Sequence, residues 1–393
     1  MSTLKVDGIR SNSASSDAIT LASDGTCTAN ITNRSNRNLI INGAMQVAQR
    51  GTSSTSDGIT TVDRFSVADD GVDENPTYAQ VDVASGTTPY TLGFRKAFKI
   101  TNGNQTSGAG AGDFVFIHYQ IEGQDVAGSG WNYTSASSFI TLSFWVKSSV
   151  AQNFFGYIRT KDGTEQRYPY ETGSLSADTW TKITKTIPGN SNIQIDNDNG
   201  AGMGVYLSTF IGTDRTDSGV TLNQWGAYVN GTRTPDQTST WYTTNDATFE
   251  ITGVQLEVGS TATDFEHRSY ADELLKCKRY YVEMGRVFSG ESGYVLNGLQ
   301  AYGTQHLFGV LAQLPVTMRA KPTTTVVGSI TFSDKSGSNV YAPSSTLTVN
   351  QSSPNWIGVS GAAFSSSLFI QGGFAFTFAT PDGTNYVKVD AEL

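Results

Sequence analysis

The hydrophobic period changes from two to nearly four inside one short string, VQLEVGSTATDFEHRSYADELLKCKRYY, running from Val254 to Tyr281. Val254, Leu256 and Val258 alternate with Gln255 and Glu257, the beat of a half-buried strand. Gly259 and Ser260 break it. Ser269 then stands at a helix cap, with Asp272 placed as the acidic partner of a capping box. Ala271, Leu274, Leu275 and Lys278 fall on one face of the helix that follows. A helix this short is marginal alone, so that face must pack on a neighbour. Either a threefold axis or the chain's own sandwich would serve, and Leu274 and Leu275 are the trimer-axis candidates.

Before Ser269 no helical period is visible. Phe114, Phe116 and His118 alternate with Val115, Ile117 and Tyr119, which predicts a strand covered on both faces. Ile140, Leu142, Phe144 and Val146 oppose Thr141, Ser143, Trp145 and Lys147, a strand whose second face is only partly covered. About ten such runs at hairpin spacing predict a sandwich or jelly roll. Trp145, Trp180 and Trp225 sit in these strand patterns and read as core.

The chain divides at seams of composition. Residues 1–37 hold few large apolar side chains, too few to offset a backbone entropy of ~1–2 kcal/mol per residue. The spaced pairs LKVDGI and AITLASDG, each ending in a Gly turn, favour ordering against identical copies over disorder. Residues 38–268 form the β domain, 269–284 a short linking helix, and 285–393 a second, smaller β-sandwich domain, the candidate receptor-binding tip. In that last domain Phe374, Phe376 and Phe378 share one face as a core seam. The expected fold class is therefore all-β, with an N-terminal stalk segment.

Composition narrows the function classes. Charged residues make up 16%, below the ~25% of ordinary soluble domains, while 41 glycines suit many tight turns. The net charge of -9 disfavours binding to nucleic acid or to anionic lipid. No stretch approaches the ~20 apolar residues of a membrane span. No secretion signal is visible at Met1, so synthesis in the cytoplasm is expected. Cys27 and Cys277 are too few for a disulfide framework and read as small buried hydrophobes.

Motifs for chemistry are sparse. His118, His267 and His306 lack a metal-ligand spacing. GAGAGD, Gly108 to Asp113, has no helix pattern after it and reads as a loop. Asp196 and Asp198 in IDNDNGAG mimic the start of a calcium loop, but its distal Glu is missing. They remain candidates for a looser structural calcium, against a solvated acidic turn; no other cofactor is expected. Glu122 in YQIEG is the carboxylate best placed at a strand end. No β-helix repeat of a depolymerase is visible, and no enzyme activity is expected.

Sugar recognition takes aromatic faces flanked by planar polar groups. Four loop-borne sets qualify: Trp131 with Tyr133; Tyr168 and Tyr170 beside Arg167; Trp241 with Tyr242; and Asn355 with Trp356. Packing against its own domain competes for each, but the set predicts an exposed aromatic in at least one loop.

The string from Val254 to Tyr281, with NLIINGAMQVAQRGTS (Asn38 to Ser53), resembles the segments that bracket a carbohydrate-module-like jelly-roll domain of bacteriophage tail fibres. YQIEGQDV (Tyr119 to Val126), ITLSFWVKSS (Ile140 to Ser149) and LPVTMRAKPTTTV (Leu314 to Val326) are similar to the same family, in the same order. The resemblance implies a noncatalytic homotrimer in the virion tail. It would be joined to other tail or baseplate proteins through residues 1–37 and bind a bacterial surface polysaccharide. It explains Gln120 and Glu122 as domain-typical residues. The alternatives are an architectural collar or adaptor without receptor binding and, third, a glycan depolymerase.

Overall fold

The structure is a computed structural model that describes residues 6–12, 17–21, 23, 27–29, 36–284, 293–296, 300–302, 306–327, 331–333, 340–341, 351–360, 377–380 and 386–393. Three short strands come first: β1 (Gly8–Ile9), β2 (Ile19–Leu21) and β3 (Cys27–Ala29), paired antiparallel in that order. The large domain follows with β4 (Ser53–Ser54), β5 (Phe65–Asp70), β6 (Thr77–Asp82), helix α1 (Thr88–Thr91), β7 (Lys96–Thr101) and β8 (Phe114–Glu122). Helix α2 (Gly123–Ala127), β9 (Phe139–Ser148), β10 (Asn153–Thr160), β11 (Gln166–Ser174) and β12 (Thr181–Pro188) come next. The domain closes with β13 (Ala201–Ile211), β14 (Gly226–Ala227), β15 (Thr248–Val258) and helix α3 (Tyr270–Lys278).

Two six-stranded sheets face each other. One runs β14-β11-β10-β13-β8-β5, and the other β12-β9-β15-β7-β6-β4. Alternation sets the faces: Val115, Ile117, Tyr119 and Ile121 of β8 meet Ile140, Leu142, Phe144 and Val146 of β9 in one shared core. The expected sandwich is what folds. The two single-turn helices α1 and α2 had no period in the sequence to announce them.

The two bracketing strings meet in space. Asn38 Oδ1 accepts from the Ile40 and Leu256 amides, and its Nδ2 donates to Val254 O at 3.1 Å. Val254 N in turn donates to Gly43 O at 2.9 Å. The entry segment thus lies along β15 and closes the domain. A bulge between Thr252 and Gln255 bends β15 there, with Gly253 at φ 64°.

The cap of α3 forms as the capping box requires, Asp272 N donating to Ser269 Oγ at 3.1 Å. The packing face differs from the expected one. Glu273 and Cys277 are buried, whereas Leu274 is half-buried and Leu275 is 52% exposed. Glu273 turns inward because it accepts from the Asn42 amide and lies beside Arg268. Hydrogen bonding, rather than apolar content, orients the helix.

Trp145 and Trp180, expected in the core, lie outside it. They are half-buried and pack with Phe94 and Val83 on the outer face of the second sheet. Cys277 is buried, and the side chain of Cys27 lies outside the described residues.

Eleven further strands follow α3: β16 (Tyr281–Met284), β17 (Gly293–Leu296), β18 (Gln300–Tyr302), β19 (His306–Gln313), β20 (Thr323–Val327), β21 (Thr331–Ser333), β22 (Val340–Tyr341), β23 (Gln351–Ser353), β24 (Trp356–Ser360), β25 (Thr377–Thr380) and β26 (Tyr386–Asp390). They make three antiparallel sheets, β16-β26-β20, β17-β25-β21-β22 and β18-β19-β24-β23. Phe374 and Phe376 of the expected core seam lie outside the described residues.

The first of these sheets is sewn to the sandwich. Glu122, fully buried at the end of β8, accepts from Arg279 Nε and Nη2 at 2.8 Å each and from Tyr280 Oη at 2.6 Å. Burial would raise the Glu122 pKa, but these donors outweigh it and hold the group below the usual carboxylate range. Arg64 pairs with Glu392, and Arg50 with Asp390 and Glu392. Glu122 is therefore a structural anchor.

Candidate functional site

The outward face of the first sheet carries a row of rings. On β8, Phe114 and Phe116 stack at 5.1 Å. His118 lies 5.4 Å from Tyr206 of β13, nearly parallel to it. Tyr206 in turn stacks on Tyr157 of β10 at 4.5 Å. Tyr228, from the loop after β14, continues the row 6.4 Å from Tyr157, with Arg159 3.5 Å above its ring. Strand alternation builds this row: when Ile117, Val205 and Ile158 face the core, His118, Tyr206 and Tyr157 must face out. The loop carrying Tyr228 covers one end, so Tyr157 and Tyr206 are largely buried beneath it.

His118 is neutral near pH 7. Burial, helped by the charge of Lys161, lowers its pKa from 6.5 to about 4. Its Nδ1 is buried without a hydrogen-bond partner.

A cleft of about 290 Å³ opens at the β11–β14 edge of the same sheet, near the small end of the ~300–1,000 Å³ typical of ligand sites. Arg167, Asp217, Thr221, Gln224, Trp225 and Thr232 line it. Arg167 faces out because its neighbours Tyr168 and Tyr170 face the core. Trp225 is a core residue, as the strand pattern predicts: it is largely buried, its Nε1 donates to Pro188 O at 2.6 Å, and its ring lies tilted 5.3 Å from that of Tyr168. Asp217 is the single carboxylate of the cleft, and its Oδ1 accepts from the Gly219 amide at 2.6 Å.

A larger cleft of about 830 Å³ lies where the N-terminal strands approach the sandwich. No aromatic ring lines it, and Arg37, Glu257 and Thr263 bond one another within it. It is a polar seam.

The loop aromatics singled out in the sequence divide sharply. Trp131, Tyr168, Tyr170, Trp241 and Tyr242 are all buried in the main core and present no face to a ligand. Four of the five have their polar ends bonded within the protein. Tyr170 Oη donates to Tyr206 O at 2.9 Å, Trp241 Nε1 to Thr248 O at 3.1 Å and Trp131 Nε1 to Ser138 O at 3.3 Å. Tyr242 Oη donates to Asp113 at 3.1 Å. RYPYETG is the strand β11 rather than a loop, which sends both tyrosines inward. Tyr133 is half-buried against Trp131. Asn355 is exposed and Trp356 half-buried on β24, remote in sequence from the ring row.

Asp196 and Asp198 stand in a turn where Asp198 Oδ1 accepts from the Gly200 amide at 2.8 Å. Among the described residues no group of three or more His, Cys, Asp or Glu is arranged to hold a metal ion.

The ring row was legible in principle, since Tyr157, Tyr206 and His118 alternate with apolar residues. A row assembled from β8, β13 and β10 needs the strand order β10-β13-β8, which no single string carries.

No known sequence family matches the chain, and no curated protein matches its sequence. Solved structures similar to it include the enzymatically active domain of tailspike protein 4 of bacteriophage CBA120, at 12% identity over 58% of this chain and 24% of that one, with a TM-score of 0.29. The chain thus spans about a quarter of the tailspike's length. Others are a family 11 carbohydrate-binding module of Clostridium thermocellum in complex with a mixed-linked tetrasaccharide (11% identity, 55% and 98% coverage, TM-score 0.24) and a family 30 module (9%, 63% and 98%, TM-score 0.27). With TM-scores this low, the fold rests on the sheet order itself.

Proposed function

We propose that this chain is a noncatalytic receptor-binding fibre protein of a phage tail, attaching the virion to a bacterial surface polysaccharide. The observation that carries the glycan reading is the outward sheet face. It carries the ring row and, at its β11–β14 edge, a cleft lined by Arg167, Gln224 and Thr232. The cleft offers planar polar groups to sugar hydroxyls. Glycoside hydrolysis uses two carboxyl groups ~5–9 Å apart. Asp217 is the carboxylate that the described residues place on this cleft.

Support for the tail-fibre part is the five strings and the closure of their two brackets through Asn38 and Val254. In this reading three copies assemble, residues 1–37 join the tail or baseplate, and Leu275 lies at the threefold axis. Weak sites on three copies gain ~10²–10⁴-fold in apparent affinity by avidity.

The test is saturable binding of the labelled full-length protein to a panel of bacterial cells, competed by their extracted polysaccharide. Binding that the polysaccharide does not compete would remove the glycan. A well-folded trimer that binds no cell favours the architectural adaptor. Release of new reducing ends from the polysaccharide would make the protein a depolymerase.

A further inference from the structure

Most arginines of the described residues have a carboxylate or several carbonyls for company. Arg50 and Arg64 meet Glu392, Arg159 meets Glu165, Arg268 meets Glu266 and Glu273, and Arg279 meets Glu122. Arg319 donates to the carbonyls of Asn199, Ala391 and Glu392. Arg167 has far less. Its single hydrogen bond is Nη2 to Thr232 Oγ1, long at 3.4 Å, and no carboxylate of the described residues lies within ion-pair distance. Its Nε is buried without a partner, as are those of Arg64, Arg233 and Arg268. Burial is also the cause of its lowered pKa, the mark of a charge under-compensated by its surroundings.

A guanidinium presents a rigid fork of N–H donors that matches a carboxylate in a two-bond pair. Here the fork lines an open cleft, and the opposite strand leaves room for a ligand. Gly226, paired with Arg167 across the β11–β14 edge, has no side chain; a Cβ there would come within 3.7 Å of Nη1. The remaining lining groups are neutral or singly acidic. Thr221 and Gln224 offer hydrogen bonds, and Asp217 accepts hydroxyl protons beside the amide it already binds.

We infer that this cleft selects acidic sugars, the Arg167 guanidinium receiving the carboxylate of a uronic or other sugar acid; the inference rests on the glycan-binding reading above. With a net charge of -9 the protein gains no long-range attraction for an anionic polymer. Selectivity therefore comes from this one local pairing, with Gln224 and Thr232 beside it for the sugar hydroxyls.

The full-length protein is titrated calorimetrically with polygalacturonate, hyaluronate and polysialate. Each is compared with its carboxyl-reduced counterpart, and dextran and galactan serve as neutral polymers. The expected result is binding of at least one acidic polymer, weakened about 10- to 100-fold by carboxyl reduction and by Arg167→Gln, the scale of a lost charge-assisted pair. Gly226→Val, which fills the cleft and keeps the arginine, has the same effect. It decides the matter if Arg167→Gln fails to fold by circular dichroism. Equal binding of acidic and reduced polymers, or full binding by both variants, overturns the acidic-sugar inference and leaves the glycan reading standing. No binding to any polymer, acidic or neutral, overturns both.

Discussion

The Arg64 guanidinium lies face-on to the Tyr280 ring, its central carbon 3.5 Å from the ring centroid, with Glu392 paired to it from the far end of the chain. Arg64 is 2% exposed and sits at a left-handed φ of 72°. A buried charge in a strained backbone persists only where its surroundings compensate it. The C-terminal residues are thus part of the sandwich's own electrostatics.

Glu392→Ala leaves that buried guanidinium without its carboxylate and removes one of the partners of Arg50, which keeps Asp390. A loss of about 3 kcal/mol is expected, the scale of a broken buried pair. Urea unfolding followed by tryptophan fluorescence measures it. A change below about 0.5 kcal/mol would show the pair to be dispensable.

Two buried groups set opposed pH trends. Burial pushes Asp63 up from 3.8 to about 6, against the opposing pull of Gln49 and Arg50. The native state then holds its proton more tightly than the unfolded chain, so stability falls as pH rises from about 4 to 6. His118, lowered from 6.5 to about 4, does the reverse, and its contribution rises with pH across nearly the same window. Each is worth about 2 kcal/mol between pH 4.5 and 7. Asp63→Asn should therefore steepen the rise of stability with pH, and His118→Gln should turn it downward. Parallel slopes in both variants and the wild type would contradict the assignment.

Gly253 admits no side chain on two counts. Its φ is 64°, and a Cβ would come within 2.6 Å of the Phe94 ring. Gly253→Ala is expected to cost at least about 2 kcal/mol, from backbone strain and overpacking together. Differential scanning calorimetry would register it as a fall of several degrees in Tm. An unchanged Tm would mean that the bulge in β15 is free to relax.

Leu275 is exposed and Leu274 half-buried, so replacing both with Asp should disturb the isolated fold little. If the threefold axis runs along α3, the double variant sediments as a monomer with an unchanged circular dichroism spectrum. A trimer that survives the change moves the axis elsewhere.

The strands and the capped helix were legible because their causes are local. Ile140, Leu142, Phe144 and Val146 repeat every second residue, and Ser269 and Asp272 meet across one turn. The glycan site was not. Aromatics flanked by Gly and Ser, such as Trp131, look free in a string, yet a rigid sandwich folds its loops back and buries them. Arg167 was visible beside Tyr168 and Tyr170, but its lack of a carboxylate partner depends on which acids the fold brings near.

Sequence alone determined the main strands, the capped helix and the sandwich class, since periodicity and capping act between near neighbours. Tertiary structure decided which face of α3 is buried, which rings reach solvent and which charges are matched. Glu122 finds Arg279, and Arg64 finds Glu392, across 157 and 328 positions. Pairings at that separation are set by how two sheets stack, because a side chain's Coulomb and packing partners are chosen by distance in space rather than along the chain.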